Sequence, residues 1–175
     1  MPRDLIDPLV PELDELEEVL KKLAEAQHAL LACIDARRDA MREADAFGLG
    51  RCLTRESEVI GEIGRLDERR QKVVGVLASM IGSERGARTT FSEIASHVPG
   101  DRGAALRTMA LSLRELMQRV QKRNASARSA AEMLAAHMQG LAKQVAQTLN
   151  HAKTYGRLGT VEVGPAVISG VDATG

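Results

Sequence analysis

From Leu13 the chain repeats apolar residues on alternating steps of three and four: Leu13, Leu16, Leu20, Leu23, Leu30, Ile34, Met41 and Ala44. That spacing lines one face of a helix, and Gln27 and Arg37 are the lapses in it. Carried past residue 44, the same register selects Gly48, Arg51, Arg55, Glu58, Glu62 and Arg65, and the apolar stripe is lost. A shifted phase restores it with Leu49, Leu53, Ile60, Ile63, Val74, Leu77 and Ile81, Leu66 lying close by. A phase jump marks a break between two helices. Asp45 is placed to cap the second, because its carboxylate can accept from free amides of the first turn. The pattern predicts an antiparallel hairpin of helices at about 11–44 and 46–82.

Five glycines (Gly48, Gly50, Gly61, Gly64 and Gly75) lie inside the second helix, and each weakens it by about 1 kcal/mol relative to Ala. Packing rather than propensity must hold that helix. Close backbone approach by a neighbour accounts for some of the glycines, not for all five. Residues 82–104 read as a linker with a short helix at 91–97, whose Thr90 and Glu93 have the spacing of a capping box. Phe91, Ile94, Ala95 and Val98 form one apolar face suited to plugging the end of the hairpin. Pro99 and Gly100 stop this helix, and Asp101 is a candidate cap for the next.

The third long helix, at about 102–154, keeps heptad spacing through Leu106, Ala110, Leu113, Met117, Val120, Asn124, Ala127, Ala131, Leu134, Met138, Leu141, Val145, Thr148, Ala152 and Tyr155. At 1.5 Å per residue it would run ~75 Å, against ~50 to 55 Å for each hairpin helix. About 20 Å of its apolar face therefore needs a partner that the hairpin cannot supply. The fold class expected is all-α: an antiparallel hairpin plus a longer third helix, a coiled-coil-like three-helix bundle with a short connecting helix. Residues 1–158 form one helical domain on this reading, and the glycine-rich 159–175 a flexible tail.

Composition agrees. The chain is 44% hydrophobic but only 2% aromatic, so Leu, Ala, Ile, Val and Met must build the core, as in helix-on-helix packing. No apolar run approaches the ~20 residues a membrane span needs, and the acidic, proline-broken start is unlike a signal peptide. These features point to a cytoplasmic protein without membrane insertion. Cys33 and Cys52 show no CxxC spacing and read as buried thiols in a reducing compartment. The net charge of zero hides a polarity: residues 1–45 hold 6 basic and 12 acidic side chains, residues 101–153 hold 9 basic and 3 acidic. Complementary faces of neighbouring helices explain this. A nucleic-acid surface would want a denser basic stripe and aromatic stacking platforms, which the chain lacks.

Nothing in the sequence carries catalysis or a cofactor. His28, His97, His137 and His151 are scattered with no HExxH pair, no glycine-rich phosphate loop follows a strand, and Ser112, Ser126 and Ser129 lack a nucleophile elbow. No metal site is expected either. Three features have two readings each. Asn124 either fixes helix register from a core position or faces solvent. Met109, Met117, Met133 and Met138 are core filler or the lining of an adaptable groove. Tyr155, the one tyrosine, either packs on its own chain or serves other proteins as a handle. The run AEMLAAHMQGLAKQVAQTL at 131–149 supports a groove-type contact line of Leu134, Met138, Leu141, Val145 and Leu149 with alanine flanks.

The order of these features resembles the FlgN family of flagellar type III export chaperones. The stretches that carry the resemblance are AMREADAFGLGRCL, TRESEVIGEIGRLDERRQKVV, TFSEIASHVPGDRGAALRTMA and the long run from RELMQRV to KTYGRLG, covering about residues 13–159. What it implies is a cytosolic, all-helical, non-enzymatic chaperone. Its partners would be hook-associated (hook–filament junction) clients and the export apparatus. The client's terminal helical segment would bind the later part of the last helix, at Leu134, Met138, Leu141, Val145 and Leu149, and Tyr155 would dock to the export gate. A single asparagine, Asn124, stands where such sequences often show a spaced pair. The alternative is a structural coiled-coil protein that forms a homo-oligomer through the same stripe.

Overall fold

The computed structural model describes residues 9–154, with side chains to 149. Four α-helices follow one another: α1 (Val10–Arg42), α2 (Ala46–Met80), α3 (Phe91–His97) and α4 (Asp101–Thr154), with a 3-10 turn at Gly86–Arg88 before α3. No strand occurs among the described residues. The chain divides between Ser129 and Ala130 into two units, the first holding α1 to α3 and the start of α4, the second the rest of α4.

The phase jump of the hydrophobic pattern is a three-residue turn. Asp45 caps α2 through a hydrogen bond accepted from the Gly48 amide at 2.8 Å. A Cβ on Gly48 would lie 2.0 Å from the Asp45 carboxylate, so the cap itself requires that glycine. On the other side of the turn, the Asp45 amide donates to the Ala40 carbonyl and the Ala44 amide to that of Met41. These two bonds close α1 with a Schellman motif, which needs a left-handed residue at Ala44, where φ is +55°. The same motif ends α2 at Gly82 with φ +72°, where no Cβ is strained. An L-residue in the left-handed region costs roughly 1–2 kcal/mol. Ala44→Gly is therefore expected to stabilise unit 1 by about 0.5–1 kcal/mol after the extra freedom of glycine in the unfolded chain is discounted. A urea midpoint that rises with an unchanged slope checks it; a lower midpoint contradicts it.

The main core joins α1 residues Leu13, Leu16, Val19, Leu20 and Leu23 to Val73, Val74 and Leu77 of α2 and Leu106 and Leu113 of α4. Ile94 and Ala95 close its end, with Phe91 and Val98 packed beside them, so α3 is the plug its apolar face predicts. Thr90 caps α3 by accepting from the Glu93 amide at 3.2 Å. The Glu93 carboxylate accepts from Ser83 at 2.8 Å, tying α3 to the linker before it. Asp101 lies in the first turn of α4 rather than ahead of it, a one-residue shift. Gly103 allows α3 and α4 to meet, for a Cβ there would stand 2.3 Å from the Val98 carbonyl oxygen. A smaller cluster of Ile34, Val120 and Ala127, flanked by Leu30 and Leu31, lies nearer the turn of the hairpin.

Two details of the hydrophobic reading are corrected by the packing. In the first half of α2, Leu53 and Ile60 are exposed, while Glu56 and Val59 turn inward. In α4 the buried residue is Leu116, and its neighbour Met117 is exposed. Cys33 and Cys52 are free and half-buried rather than fully buried. Burial pushes the Cys33 thiol up, which leaves it a poor nucleophile.

Candidate partner-binding surface

Ion pairs between helices set the register of unit 1. Arg69 of α2 donates to Glu15 of α1 at 2.7 Å, and Arg37 of α1 pairs with Glu56 of α2 at 2.9 Å. Advancing along α1 while retreating along α2 makes the pair antiparallel. Arg102 of α4 bonds Glu17 at 2.8 Å and also Asp14, and Arg123 lies 3.5 Å from Asp35. Here both members advance together, so α4 runs parallel to α1 with an offset of 85 to 88 residues. The acidic first helix and basic last helix are thus complementary faces, as the charge distribution suggests.

Asn124 is resolved by the same network. Arg37 gives one Nη to both carboxylate oxygens of Glu56 at 2.9 Å and the other to Asn124 Oδ1 at 2.9 Å. Three long helices meet at this group. Asn124 is exposed as a residue, yet its carbonyl is held, so each of its two readings describes part of it. Arg37, a lapse in the α1 stripe, and Glu56, an inward carboxylate on α2, explain one another. Neither is legible from periodicity, because each is buried only by virtue of the other.

The second unit takes up α4 from Ala130 onward. From there the apolar positions of α4 are uncovered. Leu134, Met138, Leu141, Val145 and Leu149 are between 44 and 59% exposed. At 3.6 residues per turn these five stay within about 80° of one direction, and Ala131, Ala135, Ala142 and Ala146 line one flank. Between residues 130 and 149 only Glu132 and Lys143 are charged. The helix therefore offers one continuous apolar line beside a shallow alanine flank, the shape that an amphipathic helix can lie against. Of the four methionines, Met109 packs on the core, whereas Met117, Met133 and Met138 are exposed. Tyr155 lies outside the described residues.

Other chemistry finds little support in the geometry. No group of three or more His, Cys, Asp or Glu that could hold a metal ion occurs among the described residues. No described helix is long and apolar enough to cross a membrane. His97 is engaged locally, its Nδ1 lying 2.9 Å from the Glu93 carbonyl oxygen at the end of α3.

A family model described as FlgN protein covers residues 9–162, most of the chain. No curated protein matches, and no solved structure does.

Proposed function

Since the chain belongs to the FlgN family, whose members are flagellar export chaperones, we propose that it holds hook-associated proteins in the cytosol and delivers them to the flagellar type III export gate. The client's terminal helical segment lies along Leu134, Met138, Leu141, Val145 and Leu149. The observation that carries this reading is the exposure of that continuous apolar line along α4. A run of apolar side chains left in water favours a partner, because burying each in full contributes about 1.5–3 kcal/mol. The alanine flank allows close approach, and the exposed methionines allow more than one client sequence to fit.

Delivery needs a second contact, which we assign to Tyr155. A tyrosine offers a large amphipathic area with only two torsions to freeze. The test is made on the full chain. Light scattering of the mixture with a purified hook-associated protein is expected to give one client per chain. A constant self-associated species that never exchanges for client would favour a structural coiled coil instead. Tyr155→Ala is expected to reduce motility and client delivery while leaving client affinity unchanged. Loss of affinity would place Tyr155 in the client groove.

A further inference from the structure

The outward turn of Leu53 and Ile60 leaves a second uncovered face, on α2 and wholly within unit 1. Leu53 is 49% exposed and Ile60 52%, with Phe47 nearby at 85%. Three of the five glycines of α2 lie on this side. A Cβ at Gly50 or Gly64 would meet nothing within 4 Å, and at Gly61 only the tip of the Arg65 side chain at 3.8 Å. Gly48 serves the Asp45 cap and a Cβ on Gly75 would make ordinary contact with Ala87 at 4.0 Å, whereas at the other three packing within the chain gives glycine no role. A concavity of about 480 Å³ opens on the same face, lined by Ala46, Phe47, Gly50, Arg51, Thr54 and Glu58 among others.

Laid out at 3.6 residues per turn, this face has three parallel lines. Ala46, Gly50, Ser57 and Gly61 form a central line of small residues. Leu49, Leu53 and Ile60 run along one flank, and Arg51 and Glu58 along the other. The three lines share a centre of symmetry near residue 54. An antiparallel copy turned about a two-fold axis there places Gly50 against Ser57, Ala46 against Gly61, Leu49 against Ile60, and Leu53 beside itself. It also places Arg51 against Glu58, twice. In such a pair each flank meets its own counterpart, so one register satisfies the small, apolar and charged lines together. From this match we infer that α2 is a homodimer interface whose occupant is α2 of a second copy of this chain.

The pairing explains Gly50 and Gly61: with only small residues on the central line, two helix backbones can approach closely. Complementarity selects the antiparallel orientation, since a parallel two-fold pair would set the Arg51 and Glu58 flank of one copy against the apolar Leu49, Leu53 and Ile60 flank of the other. Within one chain Glu58 already accepts from Arg55 at 3.0 Å and Arg51 lies 3.8 Å from Asp45, but both side chains stay exposed, so each can take a second partner across the pair. This face does not include the residues assigned to the client.

Sedimentation velocity of the full chain, from micromolar to submillimolar concentration, tests this. The wild type is expected to show a concentration-dependent monomer–dimer equilibrium. Ser57→Arg is expected to abolish it with helicity unchanged. Arg51→Glu and Glu58→Arg are each expected to be monomeric alone and to form a heterodimer when mixed, an arm that holds even if Ser57→Arg misfolds. Client affinity should be the same in all of these variants, which separates this inference from the functional proposal. A wild type that stays monomeric throughout overturns the inference. So does a dimer indifferent to both charge variants, or one lost on changing Leu134, Met138 and Leu141 but not Ser57. Loss of client binding in the α2 variants would make this face part of the client site and overturn it as well.

Discussion

Replacing Leu134, Met138 and Leu141 together by Asp is expected to abolish co-purification with a hook-associated client, with affinity falling at least ~1000-fold. Three of the five apolar contacts are removed, each worth about 1.5–3 kcal/mol when fully buried. Three carboxylates would also have to leave water for an apolar interface, which costs further unless each finds a partner. The fold should hardly notice, because these side chains are already exposed. Titration calorimetry against the client's terminal helical segment measures the loss, and circular dichroism verifies that helicity is kept. Unchanged affinity in a folded variant would place the client elsewhere.

The second large effect is expected in stability. Arg37→Leu strands the Glu56 carboxylate, whose side chain is only 9% exposed, without its cation. Removing one member of a buried pair costs about 3–5 kcal/mol, and the low end applies because the Arg37 side chain is itself 16% exposed. We expect about 3 kcal/mol by urea denaturation. Arg37→Leu combined with Glu56→Leu should recover most of that loss, since an apolar pair of suitable size can replace an ion pair in the interior. A loss under about 1 kcal/mol for the single variant would mean the pair behaves as a surface salt bridge. The same cation holds Asn124, so the variant also removes one of the bonds between α1 and α4 at that level.

Much of the architecture is legible in the residues. The loss of register after Ala44 locates the turn, Asp45 supplies the cap, and Phe91, Ile94, Ala95 and Val98 mark the plug. These signals are local or repeat over many turns, so one chain read alone contains them. The first half of α2 is where the reading fails. Hydrophobicity alone turns Leu53 and Ile60 inward, but Arg37 stands opposite and draws Glu56 in, and the helix rotates its apolar residues outward. A pairing between positions 19 residues apart, across a turn, has no periodic trace. The left-handed Ala44 is hidden for a related reason. Its conformation is imposed by two hydrogen bonds of the turn, not by its own preference.

The candidate client surface is legible to the extent that its five residues continue the heptads of α4 past the length of its partner. Their exposure is a structural finding. What lies against them is chemistry that a single chain does not encode, and the client named above is a proposal that rests on the family match.

Hydrogen exchange of the full chain, with and without the client's terminal segment, tests the central claim most directly. The account predicts new amide protection concentrated at residues 131–149, with the hairpin amides already protected and little changed. Protection at 131–149 equal to that of the hairpin before any client is added, or a client footprint confined to other residues, would contradict it.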